Sequence, residues 1–182
     1  AEEMLKRDIV NAISDKLEAT ILGSAAGSAT MPAGIFNGVT AETKDITYKR
    51  LVDMETALEE ANVAGNKCFI VSPSAKGILK TTAKDAIYNV TDGGVHTCVG
   101  CAGCLMEENE VNGYPVYCTS NVTSKGVVMG HFEDFVIGQW GGIDLTVDPY
   151  TQAANGKVRL VINAYFDAKP RRTGSFQKAI LK

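Results

Sequence analysis

The apolar residues of this chain change their spacing along its length, and that change narrows the fold more than any other feature. Between residues 2 and 22 they recur every fourth position, at Leu5, Ile9, Ile13, Leu17 and Ile21, with charged residues between them. That period marks one face of an amphipathic helix. After residue 142 they recur every second position. Ile143-Asp144-Leu145-Thr146-Val147-Asp148 alternates apolar with polar, and residues 157–166 keep Val158, Leu160 and Ile162 on one face. That period marks half-buried strands. Asn155-Gly156 between the two stretches supplies a hairpin turn. Helices mixed with, then followed by, antiparallel hairpins predict an α+β fold.

The remaining elements follow from local signals. Gly23 predicts the stop of the first helix, and small residues over 24–30 predict a loop. A second helix is expected over about 46–64, capped by Asp45 or Thr47. Leu51, Met54, Leu58 and Ala61 form its apolar stripe, and Gly65-Asn66 is its expected end. Cys68-Phe69-Ile70-Val71 reads as a buried strand. Ser72-Pro73 reads as a cap followed by proline in the first helical turn, with a helix running to about Lys80. Residues 116–118, 127–129 and 135–140 are further strand candidates. Gly93-Gly94 and Gly141-Gly142 read as hairpin turns.

Of 182 residues, 45% are apolar and 21% charged, with 18 glycines and 5 prolines. These proportions exclude a disordered chain and supply a real core. A net charge of −3 argues against a broadly basic nucleic-acid-binding surface. No apolar run is long enough for a transmembrane helix. The charged start at Glu2 does not fit a signal peptide. The chain opens on Ala1 inside a helical pattern, so it is expected to be a fragment made by cloning or processing.

The constellations that could carry chemistry are few. Cys98-Val99-Gly100-Cys101-Ala102-Gly103-Cys104 overlaps two Cys-x-x-Cys steps, with His96 before and Cys118 after. Thiolates so spaced can converge on zinc or an iron–sulfur cluster. The competing reading is a glycine-rich loop with free thiols in a reducing compartment. His131 reads as a solvent-facing or packing histidine rather than a general base, with no Ser or Cys nucleophile motif near it. Glu107, Glu108 and Glu110 read as a solvated edge or turn before Asn112-Gly113. Trp140 suits core or interface packing, and Arg171-Arg172 suits ion pairs with another protein. No glycine pattern has a nucleotide-binding form. The expectation is therefore no enzyme, no cofactor and no metal, with Cys98, Cys101, Cys104 and Cys118 as the alternative metal set.

Several passages, in order, resemble the major capsid proteins of tailed bacteriophages. The helix running into Ile21-Leu22-Gly23 and then Pro32-Ala33-Gly34-Ile35 is one. Lys67-Cys68-Phe69-Ile70-Val71-Ser72-Pro73 followed by Leu79 is another. Asn112-Gly113-Tyr114-Pro115-Val116 and Gly130-His131-Phe132-Glu133-Asp134-Phe135-Val136-Ile137 follow, with His131 where that family commonly has Asp. The stretches 142–148, 158–167 and 171–176 complete the series.

The resemblance implies the Hong-Kong-97-like fold. Residues 24–130 would be mainly the axial domain, and 1–23 with 131–182 mainly the peripheral domain. It also implies that the N-terminal arm, extended loop and spine helix of such proteins have no counterpart here. The implied role is structural: a subunit of an icosahedral phage or prophage shell that encloses the genome. Such a subunit would sit in the virion and assemble in the bacterial host cytoplasm. Its partners would be other copies of itself, with scaffolding and portal proteins, and neither membrane nor sequence-specific nucleic acid. Trp140, Arg171, Arg172 and Phe176 are the candidate subunit contacts. The alternatives are a nanocompartment shell protein of the same fold, or a small metal-binding domain on the cysteine cluster.

Overall fold

The computed structural model describes residues 2–84 and 103–182. The four-residue spacing forms helix α1, Glu2–Ile21. Its last turn enters the core at Ile21 and Leu22, while Leu5 near its start is 47% exposed. The following loop docks on the helix end through backbone. Ile35 N–H donates to the Ile21 carbonyl at 2.7 Å and Phe36 N–H to that of Gly23 at 3.0 Å. A Cβ at Gly34 would lie 2.2 Å from the Gly23 carbonyl oxygen, so only glycine fits this approach.

Helix α2, Tyr48–Glu60, is capped by Thr47, whose hydroxyl accepts from Arg50 N–H. It ends earlier than the expected position 64. Asn62 turns left-handed at φ 51°, and Val63 N–H bonds back to the Leu58 carbonyl at 3.1 Å. That 6→1 bond closes the helix in Schellman fashion. Strand β1, Cys68–Val71, leads into helix α3, Pro73–Thr81. The Ser72 hydroxyl accepts from Ala75 N–H at 3.2 Å, as the Ser-Pro pair predicts.

Strands β2 (Glu110–Val111), β3 (Tyr114–Cys118) and β4 (Gly126–Gly130) follow. A late strand, β7 (Phe176–Ile180), completes a five-stranded sheet in the order β2-β3-β1-β4-β7. Only the β1–β3 pair is parallel. Alternation sends Phe69, Val71, Val127 and Met129 to one face, where they meet Leu51, Met54, Leu58 and Leu79 from α2 and α3. Ile70 and Val128 point the other way, toward Ile21, Leu22, Phe36 and Phe176. The sheet thus separates two cores.

Between β4 and β7 the chain makes a long two-stranded ribbon: β5, Phe135–Asp148, and β6, Arg159–Pro170. One sequence expectation changes here. Gly141-Gly142 is not a turn: it lies inside β5, at a register shift between Trp140 and Asp144. The glycine pair makes a bulge and the strand continues. At the end of the chain, strand β7 pairs with β4 along its whole length, so residues 176–180 lie in the five-stranded sheet, with Phe176 packed among Ile21 and Leu22. The Gly93-Gly94 turn lies outside the described residues.

Candidate assembly surface

The chain leaves the sheet after Gly130 and re-enters it at Phe176, and both crossings are tied together. His131 N–H donates to the Ser175 carbonyl (3.2 Å), Asp134 N–H to the His131 carbonyl (3.1 Å) and Arg171 N–H to the Asp134 carbonyl (2.7 Å). The Ser175 hydroxyl, fully buried, donates to the Asp134 carboxylate at 2.5 Å. That bond holds the Asp134 carboxyl below the usual carboxylate range. Partial burial opposes the shift, and the charges of His131, Arg172 and Arg171 add to it.

The His131 ring is part of this junction. Its Nδ1 lies 2.8 Å from the Asn66 carbonyl oxygen, which can only accept, so Nδ1 carries the proton. Its Nε2 is 3.6 Å from Glu133. A Cβ at Gly65 would stand 2.5 Å from the ring. The ring therefore fills the space above that glycine, which makes His131 a packing residue.

A cleft of about 370 Å³ opens beside the junction, between the last turns of α1 and the base of the ribbon. Leu17, Ile21, Ile35, Ile70, Phe135 and Ile137 line it. Glu18 at its rim accepts from the Asn121 amide at 3.2 Å.

Among the described residues no three His, Cys, Asp or Glu side chains gather to hold a metal. Cys104 is half-buried and Cys118 exposed. Cys98, Cys101 and His96 lie outside the described residues. Glu107, Glu108 and Glu110 form an exposed turn whose ends bond each other through backbone. Burial pushes the Cys68 thiol up. Tyr114 is also raised, by burial and by donating to the Glu55 carboxylate at 3.0 Å.

The ribbon itself has two unlike faces. Pairs that share a face alternate along the ladder. Ile137/Ala168, Leu145/Ile162 and Val147/Leu160 form an apolar face that begins in the core under α1. Val136/Lys169, Gly138/Asp167, Trp140/Tyr165 and Asp144/Asn163 form the outer face. Leu145 and Val147 remain about half exposed, and Trp140 and Tyr165 more than half. Arg171 and Arg172 are exposed at the ribbon base. Phe176, expected at a subunit contact, is only 5% exposed. Its ring packs edge-on against Phe132 at 5.3 Å and Phe135 at 5.9 Å, which assigns it to the core of this chain. The sequence reading did not single out Tyr165. The alternation of residues 157–166 places it, but the register opposite Trp140 is set by the bulge.

The description "Phage capsid family" matches residues 1–179. A major capsid protein of Halomonas phage phiHAP-1 is 31% identical over 133 residues, covering 72% of this chain and 20% of that protein. Among solved structures, the capsid of an empty GTA particle aligns with a TM-score of 0.66 at 16% identity, over all of this chain and 66% of the other. Gordonia phage Cozz aligns with 0.63 at 16% identity, over 99% and 63%. The chain thus spans one fifth of the curated relative and about two thirds of these solved chains. The structural likeness shows the Hong-Kong-97-like fold.

Proposed function

The chain belongs to the phage capsid family, and from that premise we propose that it is a structural subunit of a phage or prophage shell. Copies of it associate to enclose a genome, and its part is architectural rather than catalytic. The observation that carries this reading is the ribbon. An isolated two-stranded hairpin is marginal in water, yet this one extends well past α1 with Ile143, Leu145, Val147 and Trp140 about half exposed or more. Such a surface is complete only against neighbours. A net charge of −3 suits a wall that does not clamp DNA by its phosphates.

In this reading residues 24–130, joined by 176–180, make the axial part around which copies gather. The helix 2–21 and the ribbon make the peripheral part. Other copies are the main partners, with scaffolding and portal proteins acting during assembly in the host cytoplasm. The test is negative-stain electron microscopy of the full reading frame that encodes these residues, expressed alone and with its neighbouring genes. Closed, uniform shells are expected. Dispersed protein under both conditions counts against the reading. Shells that package protein cargo and exclude nucleic acid would point to a nanocompartment of the same fold.

A further inference from the structure

Three Asn-Gly pairs occur in the sequence, at 37–38, 112–113 and 155–156. In such a pair no Cβ shields the glycine nitrogen, so it can reach the amide carbon of the asparagine side chain. Two conditions decide whether it does. The asparagine side chain must be free to swing. The glycine N–H must also be free of other bonds, because the nitrogen attacks only after losing its proton.

The fold meets these conditions unequally. At the ribbon tip the Asn155 amide donates to Gln152 Oε1 at 3.0 Å, and Gly156 N–H donates to the Ala153 carbonyl at 3.0 Å. Asn155 N–H is itself tied to the Gln152 carbonyl, also at 3.0 Å. Asn112 and Gly113 form the two-residue turn between Val111 and Tyr114, both at positive φ, 53° and 79°. There the amide nitrogen donates to Glu55 at 3.4 Å and Oδ1 is buried. Asn37 differs. Its side chain is exposed, and a Cβ at Gly38 would meet nothing within 4 Å. Among the described residues neither the Asn37 amide nor Gly38 N–H has a hydrogen-bond partner. One bond spans the pair, from Val39 N–H to the Phe36 carbonyl at 3.1 Å.

We propose that Asn37 is a site of spontaneous covalent modification in the folded chain, and the first of the three to react. The Gly38 nitrogen, its proton taken by solvent base, attacks Cγ of Asn37. An N–Cγ bond forms, the Cγ–Nδ2 bond breaks, and the leaving nitrogen takes up a proton and departs as ammonia. The product is a five-membered succinimide, which water then opens. Cleavage of the bond to Cγ leaves aspartate. Cleavage of the bond to the main-chain carbonyl carbon leaves isoaspartate, whose backbone runs through Cβ. The net change consumes one water, releases one ammonia and adds one negative charge to the chain.

The position gives the change a consequence. Phe36 beside it is fully buried in the second core, and the N–H groups of Ile35 and Phe36 dock the loop on the end of α1. The Ile35 carbonyl also accepts from Lys178 Nζ at 2.7 Å. The extra main-chain carbon of isoaspartate enters the turn directly after these contacts. Its formation is a slow clock on the joint between α1 and the sheet, and it does not depend on the capsid reading.

The experiment follows the native 182-residue chain over weeks in mildly alkaline buffer. Proteolytic peptides are read by mass spectrometry, and isoaspartate by labelling with protein isoaspartate methyltransferase. A second sample is held in concentrated urea. Each net hydrogen bond that must open slows a site about fivefold. In the native chain Asn37 should therefore convert about fivefold faster than Asn112 and Asn155, or more, while in urea all three convert at similar rates. Asn37→Gln removes the native signal at this turn and leaves the other two pairs unchanged. Aged wild type should then unfold at a lower urea concentration than the equally aged variant. The site is overturned if Asn112 or Asn155 keeps pace with Asn37 in the native chain, or if Asn37 stays intact after the urea sample has fully converted. Equal urea midpoints for the two aged chains would overturn its effect on the joint.

Discussion

Replacing Gly65 by alanine tests the junction between sheet and ribbon. Gly65 has φ +94°, a region that costs an L-residue about 1–2 kcal/mol. The added Cβ also enters the His131 ring, 2.5 Å from Cε1. The ring cannot swing freely, because its Nδ1 donates to the Asn66 carbonyl. Moving it gives up that bond, about 1 kcal/mol, and adds overpacking of about 1–3 kcal/mol. Gly65→Ala should thus destabilise by roughly 3–6 kcal/mol in urea unfolding, a large part of a typical domain's stability. Gly113→Ala is the control. Its φ is also positive, +79°, but nothing lies within 4 Å of the new Cβ, so only the backbone cost of about 1–2 kcal/mol applies. Adding His131→Ala to Gly65→Ala removes the clash. The double variant should then be less damaged than the two single effects combined, by about 1–3 kcal/mol. Equal costs at Gly65 and Gly113, or strict additivity with His131→Ala, would refute the reasoning.

Two further outcomes follow from described contacts. The Asp134 carboxyl is depressed in the folded chain, first by the Ser175 hydroxyl. Its stabilising effect is therefore present above the unfolded pKa of about 3.9 and is lost as pH falls through the folded value. The urea midpoint of wild type should exceed that of Asp134→Asn by a constant margin near neutral pH, and the margin should close below pH about 4; a margin unchanged in acid contradicts the assignment. Ser72→Ala should cost about 1 kcal/mol and Ser72→Gly only a few tenths, since the hydroxyl caps α3. Equal losses for both would show that the bond to the Ser74 hydroxyl, at 3.0 Å, matters more than the cap.

The elements legible in the sequence are those whose causes are local. Thr47 and Ser72 cap helices a few residues away, and the spacing of Leu5 through Ile21 needs no partner to be read. The same holds for β1, whose apolar run stands between turns. Misread features have distant causes. The pair Gly141-Gly142 is a bulge rather than a turn only because Asp144 finds Asn163 on the other strand. The segment Phe-Gln-Lys-Ala-Ile at 176–180 has too little alternation to announce a strand, and β4 makes it one through pairs such as Val128 with Lys178. Phe176 reads as a free aromatic until Phe132 and Phe135 fold over it. At the candidate surface, Trp140, Arg171 and Arg172 were visible as residue types suited to contact. Their places along the ribbon, Trp140 on the ladder and the arginines just past its base, required the register.

Gly130 and Phe176 are paired neighbours in the sheet, so residues 131–175 amount to an insertion into an ordinary β4–β7 hairpin. Such an insertion behaves like a ruler with fixed graduations. Lengthening both strands by two residues moves the tip outward by nearly 7 Å and keeps every side chain on its own face. A change of one residue would exchange the apolar and outer faces. The bulge at 141–143 is the place where an odd residue can be absorbed without that exchange. Related chains can therefore vary the length of the ribbon in discrete steps while the sheet that carries it stays the same.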